Sequence, residues 1–165
     1  MPPRRAPHAQ DARRVARSCD SAGKGPKLVL LYDGRCALCD GSVRAVLALD
    51  RRARFCFAAL ESEAARALLG AVDGLAPAPL RPATVVLVAG GRVWTRSSAV
   101  VRVLFALGLP WSALGAALWL VPKPLRDALY DWVAANRAAW FGRLDGCRVP
   151  APGERERFLD AGERG

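Results

Sequence analysis

Leu28-Val29-Leu30-Leu31-Tyr32 is an unbroken apolar run, the pattern of a strand buried on both faces. After the turn Asp33-Gly34-Arg35 the period changes. From about Ala37 to Asp50, the residues Cys39, Val43, Val46 and Leu47 recur at helical spacing and share one face. Arg51-Arg52-Ala53 leads into a second strand, Arg54–Ala58, where Phe55 and Phe57 point one way and Cys56 the other. A strand, a helix and a strand joined so tightly make a parallel, right-handed βαβ unit. Ser62–Leu69 reads as a short helix ended by Gly70, and Ala76–Pro82 as a Pro-rich loop. Thr84–Ala89 is a third strand, Gly90-Gly91 a turn, and Arg92–Thr95 the return strand of a hairpin. Ser97 or Ser98 is expected to cap a helix running to about Leu107, where Gly108 and Pro110 stop it.

The order β-α-β-α-β-β-α predicts an α/β fold with a thioredoxin-like layout. Its mixed sheet has two parallel and two antiparallel neighbours and is flanked by helices. The remainder predicts a helical C-terminal extension. Trp111–Leu120 is apolar nearly all round, and Pro122-Lys123-Pro124 interrupts the chain. Leu125–Phe141 carries Leu125, Leu129, Trp132, Val133, Asn136 and Trp140 along one stripe. From Gly142 the chain is polar apart from Cys147 and Phe158-Leu159. The division expected is a disordered basic tail (1–26), a thioredoxin-like core (27–108), the helical extension (109–145) and a C-terminal tail (146–165). Val103–Val121 is uncharged and as long as a membrane span. Gly108 and Pro110 interrupt it, so two short helices covering the sheet are expected, with peripheral membrane contact through Trp111, Leu114, Leu118 and Trp119 as the alternative.

Charge changes this picture little. The net charge of +10 is concentrated partly in residues 1–27, which hold Arg4, Arg5, Arg13, Arg14, Arg17, Lys24 and Lys27. A solubilising arm is the plain reading; such an arm also adheres to anionic surfaces. No nucleic-acid motif accompanies it, so no specific nucleic-acid partner is expected. The five cysteines do not form a secreted disulfide framework, and no secretory signal precedes them, so a cytoplasmic location is expected. The single histidine, His8, lies in the tail, which removes Cys-His hydrolase chemistry and most zinc hydrolase sites from consideration.

The chemistry that remains is in Cys36-Ala37-Leu38-Cys39, at the junction of the first strand and its helix. A thiolate is the attacking species. Cys36 falls at the start of the helix, where unpaired N–H groups and the positive end of the dipole favour an anion, and Arg35 adds charge. Cys39 follows three residues later, one turn deeper and within bridging reach. Cys36 is therefore expected to attack a substrate disulfide and Cys39 to resolve the mixed disulfide. A zinc half-site would need a second close pair of ligands, which the chain lacks. No bound cofactor and no metal are expected.

Asp33-Gly34-Arg35-Cys36-Ala37-Leu38-Cys39 also resembles the Asp-x-x-Cys-x-x-Cys signature of the DCC family. The resemblance continues through Arg96-Ser97-Ser98-Ala99, Val121–Asp127 with Tyr130, Asn136-Arg137, Trp140-Phe141-Gly142 and Cys147, covering about residues 28–160. Near Ser98 the family tends to have an acidic residue, which this chain lacks. Membership would imply a thioredoxin-like fold and thiol-disulfide oxidoreductase activity for Cys36 and Cys39, an activity largely inferred from the motif.

Other residues have supporting roles in this expectation. Asp33 either caps the turn or relays a proton near Cys39. Pro82 stands where thioredoxin-like folds place a cis-proline beside the disulfide; cis and trans both stay open. Arg126, Asp127, Tyr130, Asn136 and Arg137 form a polar group on the last helix. They either make packing contacts or line the mouth of the cysteine site, and Asn136, on the apolar stripe, is expected to tie the helix to a loop. Cys147 is a candidate third redox thiol, Cys56 a small core residue, and Cys19 idle. The expected function is thiol-disulfide exchange with a protein or small-molecule disulfide or thiol and an unidentified electron donor. The rival is a membrane-surface or protein-interaction module built on the apolar C-terminal helices.

Overall fold

In the computed structural model, residues 28–72, 84–144 and 150–163 are described. Pro82 and Cys147 lie outside them, as do residues 1–27. Strand β1 (Leu28–Tyr32) is central, parallel to β2 (Phe55–Ala59) and antiparallel to β3 (Val86–Ala89), which pairs with β4 (Arg92–Thr95). The spatial order β2-β1-β3-β4 is the mixed, thioredoxin-like sheet that the element order predicts. The sheet has one parallel and two antiparallel neighbour pairs rather than the two and two expected, because four strands in an open sheet make three pairs.

The continuous apolar character of β1 and β2 has its cause here, since both faces of the sheet are covered. On one face, Leu30, Tyr32, Phe55, Phe57 and Leu87 meet Cys39, Val43 and Val46 of helix α1 (Ala37–Leu49), together with Ala99 and Val103. On the other, Val29, Leu31, Cys56, Ala58, Val86 and Val88 meet Ala65 and Leu68 of α2 (Glu63–Ala71). Phe55 and Phe57 thus face away from Cys56, as the alternation of a strand requires. Cys56 is fully buried and disulfide-bonded, its partner lying outside the described residues.

Helix α3 (Arg96–Leu107) follows β4 directly. The expected serine cap is not formed. Thr95 precedes the helix without a side-chain cap, and the Ser97 hydroxyl donates instead to the Asp127 carboxylate. Gly108, at φ 79°, ends the helix in a conformation that favours glycine. The Leu109–Pro110 peptide bond is cis. Helix α4 (Trp111–Leu120) then packs on α3 across Gly115, where an added Cβ would lie 3.1 Å from Leu104 Cβ. Helix α5 (Lys123–Phe141) begins two residues earlier than the apolar stripe suggests, because Pro124 is tolerated in a first turn whose N–H groups are unpaired anyway. No helix among the described residues is long and apolar enough to cross a membrane. The break at 108–110 divides the uncharged stretch in two.

Two features depart from the pattern. The stripe of α5 is turned largely outward, and Leu125, Trp132 and Trp140 stay at least half exposed, as do Leu114, Trp119 and Leu120 of α4. The segment 150–163, polar in sequence, packs along β2. Phe158 is buried against Phe57 with ring centroids 5.4 Å apart. The Leu159 N–H donates to Phe57 O (2.9 Å), and the Ala59 N–H donates to the Asp160 carboxylate (2.7 Å). Arg157 pairs with the buried Asp50. Glu163 accepts from Glu63 N and Ala64 N (3.0 and 3.2 Å), capping α2 from a hundred residues away.

Candidate active site

Cys36 and Cys39 are free thiols at the end of the β1–α1 turn. Cys36 is the residue before α1, extended at φ −100° and ψ 119°, and its sulfur accepts the Cys39 N–H at 3.3 Å. A sulfur thus takes the place that an Asp or Ser side chain usually fills at a helix start. The backbone around it is fixed twice. The Cys36 N–H donates to Asp33 O (3.3 Å), and Cys36 forms an antiparallel bridge with Arg143, beside which Leu144 N donates to Arg35 O (2.9 Å).

Asp33 closes the turn by accepting the Arg35 N–H at 3.0 Å, and its other oxygen pairs with Arg137. Arg137 comes from α5, about a hundred residues away in sequence. Its guanidinium spans two groups, since the nitrogen that does not face Asp33 reaches Cys39 Sγ at 3.0 Å. The Arg137 and Asp33 side chains are only 11% and 12% exposed, so this network is poorly screened. Burial opposes the guanidinium charge, but Cys39, Cys36 and Asp33 outweigh it and hold the Arg137 pKa above its usual value. The Cys39 thiol is pushed up to about 12, first by burial and then by the Cys36 sulfur, with Arg137 pulling the other way.

The remaining polar residues of α5 divide. Tyr130 turns inward, and its hydroxyl accepts the Val85 N–H at 2.9 Å. Burial raises the Tyr130 pKa. Asp127 is buried and takes hydrogen bonds from Ser97 and from Lys123 at 2.5 Å. Burial works against its charge, but these two partners prevail and its pKa is lowered. Asn136 does not tie α5 to a loop; its amide donates to Trp132 O of the same helix at 2.8 Å. Arg126 reaches neither cysteine within hydrogen-bond distance.

The dithiol stands between two cavities. Cys36 opens on a polar one of about 480 Å³, lined by Asp33, Arg35, Glu61, Arg137 and Arg143 among others. Cys39 opens on an apolar one of about 290 Å³, walled by Leu38, Val85, Val100, Leu118, Leu129 and Val133, with Arg126, Tyr130 and Arg137 at its polar points. Each sulfur is almost fully buried, 4% and 5% exposed by residue, and reaches the surface through its own cavity. Sequence reasoning missed Arg143 and Glu61, both isolated charges with no motif around them. Among the described residues, no group of three or more His, Cys, Asp or Glu side chains is placed to hold a metal ion.

The chain is also similar to known proteins. The family model described as DCC1-like thiol-disulfide oxidoreductase matches residues 30–143, from β1 to the Arg143 bridge. An uncharacterized protein of Bacillus subtilis (strain 168), YuxK, is 39% identical over 134 residues, 81% of this chain and 95% of its own. A DCC family protein of Arabidopsis thaliana, described as chloroplastic, is 40% identical over 121 residues, 73% of this chain and 69% of its own. No solved structure matches.

Proposed function

Since the chain belongs to the DCC1-like thiol-disulfide oxidoreductase family, we propose that it exchanges disulfides through Cys36 as nucleophile and Cys39 as resolving thiol. The Cys36 thiolate attacks one sulfur of a substrate disulfide; a Cys36–substrate disulfide forms and the other substrate sulfur leaves as a thiolate. The Cys39 sulfur, once deprotonated, attacks Cys36 Sγ. The Cys36–Cys39 disulfide forms and the second substrate thiolate leaves. The substrate gains two electrons and the protein dithiol loses them; in the opposite direction the same steps oxidise a substrate dithiol.

The observation that carries the reading is the contact geometry at the start of α1. The Cys36 sulfur already accepts a helix N–H, that of Cys39, and so has a donor for its negative charge. Burial and the Cys36 sulfur keep Cys39 protonated at neutral pH, which suits a thiol that resolves rather than attacks. In this reading Arg137 is a positioning residue. It holds Asp33 and stabilises negative charge on Cys39 as the second step proceeds. The polar cavity at Cys36 is the entry for the substrate disulfide.

Trapping tests the assignment. Cys39→Ser should accumulate mixed disulfides on Cys36, and Cys36→Ser should accumulate none. Equal trapping by both variants overturns the division of roles. A second reading, an interaction or membrane-surface module, draws on the exposed Trp119, Leu120, Leu125 and Trp132. Co-sedimentation with anionic vesicles by the wild type and by a Cys36→Ser/Cys39→Ser variant alike would favour it.

A further inference from the structure

The apolar cavity beside Cys39 contains a group that thiol exchange does not use. Arg126 lines it among Val100, Leu118, Leu129 and Val133. The Nε and Nη1 atoms of Arg126 are buried, and no described residue accepts a hydrogen bond from either. The other guanidinium of the cavity, Arg137, is committed to Asp33 and Cys39. The nearby acids of α5 are committed too, Asp127 to Ser97 and Lys123 and Asp131 to Arg96 at 3.5 Å. Among the described residues that line the cavity there is no carboxylate. A buried guanidinium with two donors lacking an acceptor is unfavourable, and a carboxylate is an acceptor of the opposite charge that suits it. The volume of about 290 Å³ is at the small end of ligand sites, and the walls are almost wholly apolar.

We propose that this cavity binds a small amphipathic monoanion, a carboxylate with a hydrocarbon body. The carboxylate accepts from the Arg126 guanidinium, and the body lies against Val100, Leu118, Leu129 and Val133. No bond is made or broken in this step, so the site stands or falls independently of disulfide exchange.

The test uses the full-length protein, kept reduced, with octanoate as probe and 1-octanol as its neutral counterpart. Calorimetry should give saturable one-to-one octanoate binding, and methyl NMR shifts should fall on Val100, Leu118, Leu129 and Val133. 1-Octanol should bind roughly tenfold or more weaker, the worth of a charge-assisted hydrogen bond. Arg126→Met should abolish the preference for the anion, and Arg126→Lys should keep part of it. The proposal is overturned if octanoate does not saturate, if 1-octanol binds equally well, if the shifts fall elsewhere, or if a folded Arg126→Met retains the preference. Should that variant not fold, the contrast between the two probes on the wild type, together with the methyl map, decides.

Discussion

Replacing Arg137 by Met separates the two chemical steps. The guanidinium donates to Cys39 Sγ at 3.0 Å from a position only 11% exposed, so what is removed is a poorly screened, charge-assisted hydrogen bond. Such a bond contributes about 1.5–3 kcal/mol. At about 1.36 kcal/mol per tenfold, the thiolate of Cys39 becomes roughly 10- to 100-fold rarer. Freed of its partner, Asp33 acts in the same direction, because its charge also opposes ionisation of Cys39. In the wild type the thiol titrates at about 12, so at pH 8 the anion is on the order of one part in ten thousand. In the mixed disulfide the Cys36 sulfur no longer opposes ionisation of Cys39 while burial still does, so the resolution rate should climb with pH above neutrality. A chromogenic aryl disulfide in a stopped-flow instrument reads both steps, since one arylthiolate leaves on attack and a second on resolution. In Arg137→Met the second phase should slow by roughly 10- to 100-fold and the first by much less, with the pH slope of the second retained. Arg137→Lys, which keeps the charge and loses the fork, should fall between. An unchanged second phase, or equal slowing of both phases, refutes the role of the guanidinium.

Three further outcomes are expected. Stability should fall as pH rises from about 8.5, where the unfolded thiol ionises, toward the folded value of about 12, and Cys39→Ser should flatten that slope in urea titrations at pH 7.5, 9 and 10. The sign follows from the unfolded chain releasing the Cys39 proton first. Tyr130→Phe removes the acceptor of the Val85 N–H, and should cost about 1 kcal/mol, a Tm loss of about 2–4 °C by calorimetry. Phe158→Ala opens a cavity beside Phe57 and should cost about 3–5 kcal/mol by chemical denaturation; a loss under about 1 kcal/mol would mean that residues 150–163 are only loosely attached.

The core and the cysteine pair were legible because their signals are local. The apolar run of β1, the alternation of Phe55, Cys56 and Phe57, and the period of Val43, Val46 and Leu47 each report a burial that the element itself imposes. Spacing also put Cys36 at the start of α1 and Cys39 one turn deeper. What was not legible depends on partners distant in sequence. The role of Ser97 is set by Asp127, thirty residues on, which outcompetes the local cap. Arg137 was named as part of a polar group, but its span from Asp33 to Cys39 follows from how α5 crosses α1. Asn136 misled because an amide at the edge of an apolar stripe can bond to its own helix as readily as to a loop. The segment 150–163 gave almost no signal. Its hold on β2 rests on one ring, Phe158, and on charges that read as solvated until Asp50 and the start of α2 are placed beside them.

That last attachment has a consequence for synthesis. Until residues 157–160 have left the ribosome, the outer edge of β2 has no neighbour at Phe57 and Ala59, and Asp50 lacks its arginine. A nascent chain stalled at about residue 145 already carries both thiols and the whole sheet, yet exposes an unsatisfied strand edge that other chains can join. The sheet therefore stays open along this edge until residues 157–160 are made, and the thiols are chemically competent to meet an oxidant before the domain is sealed.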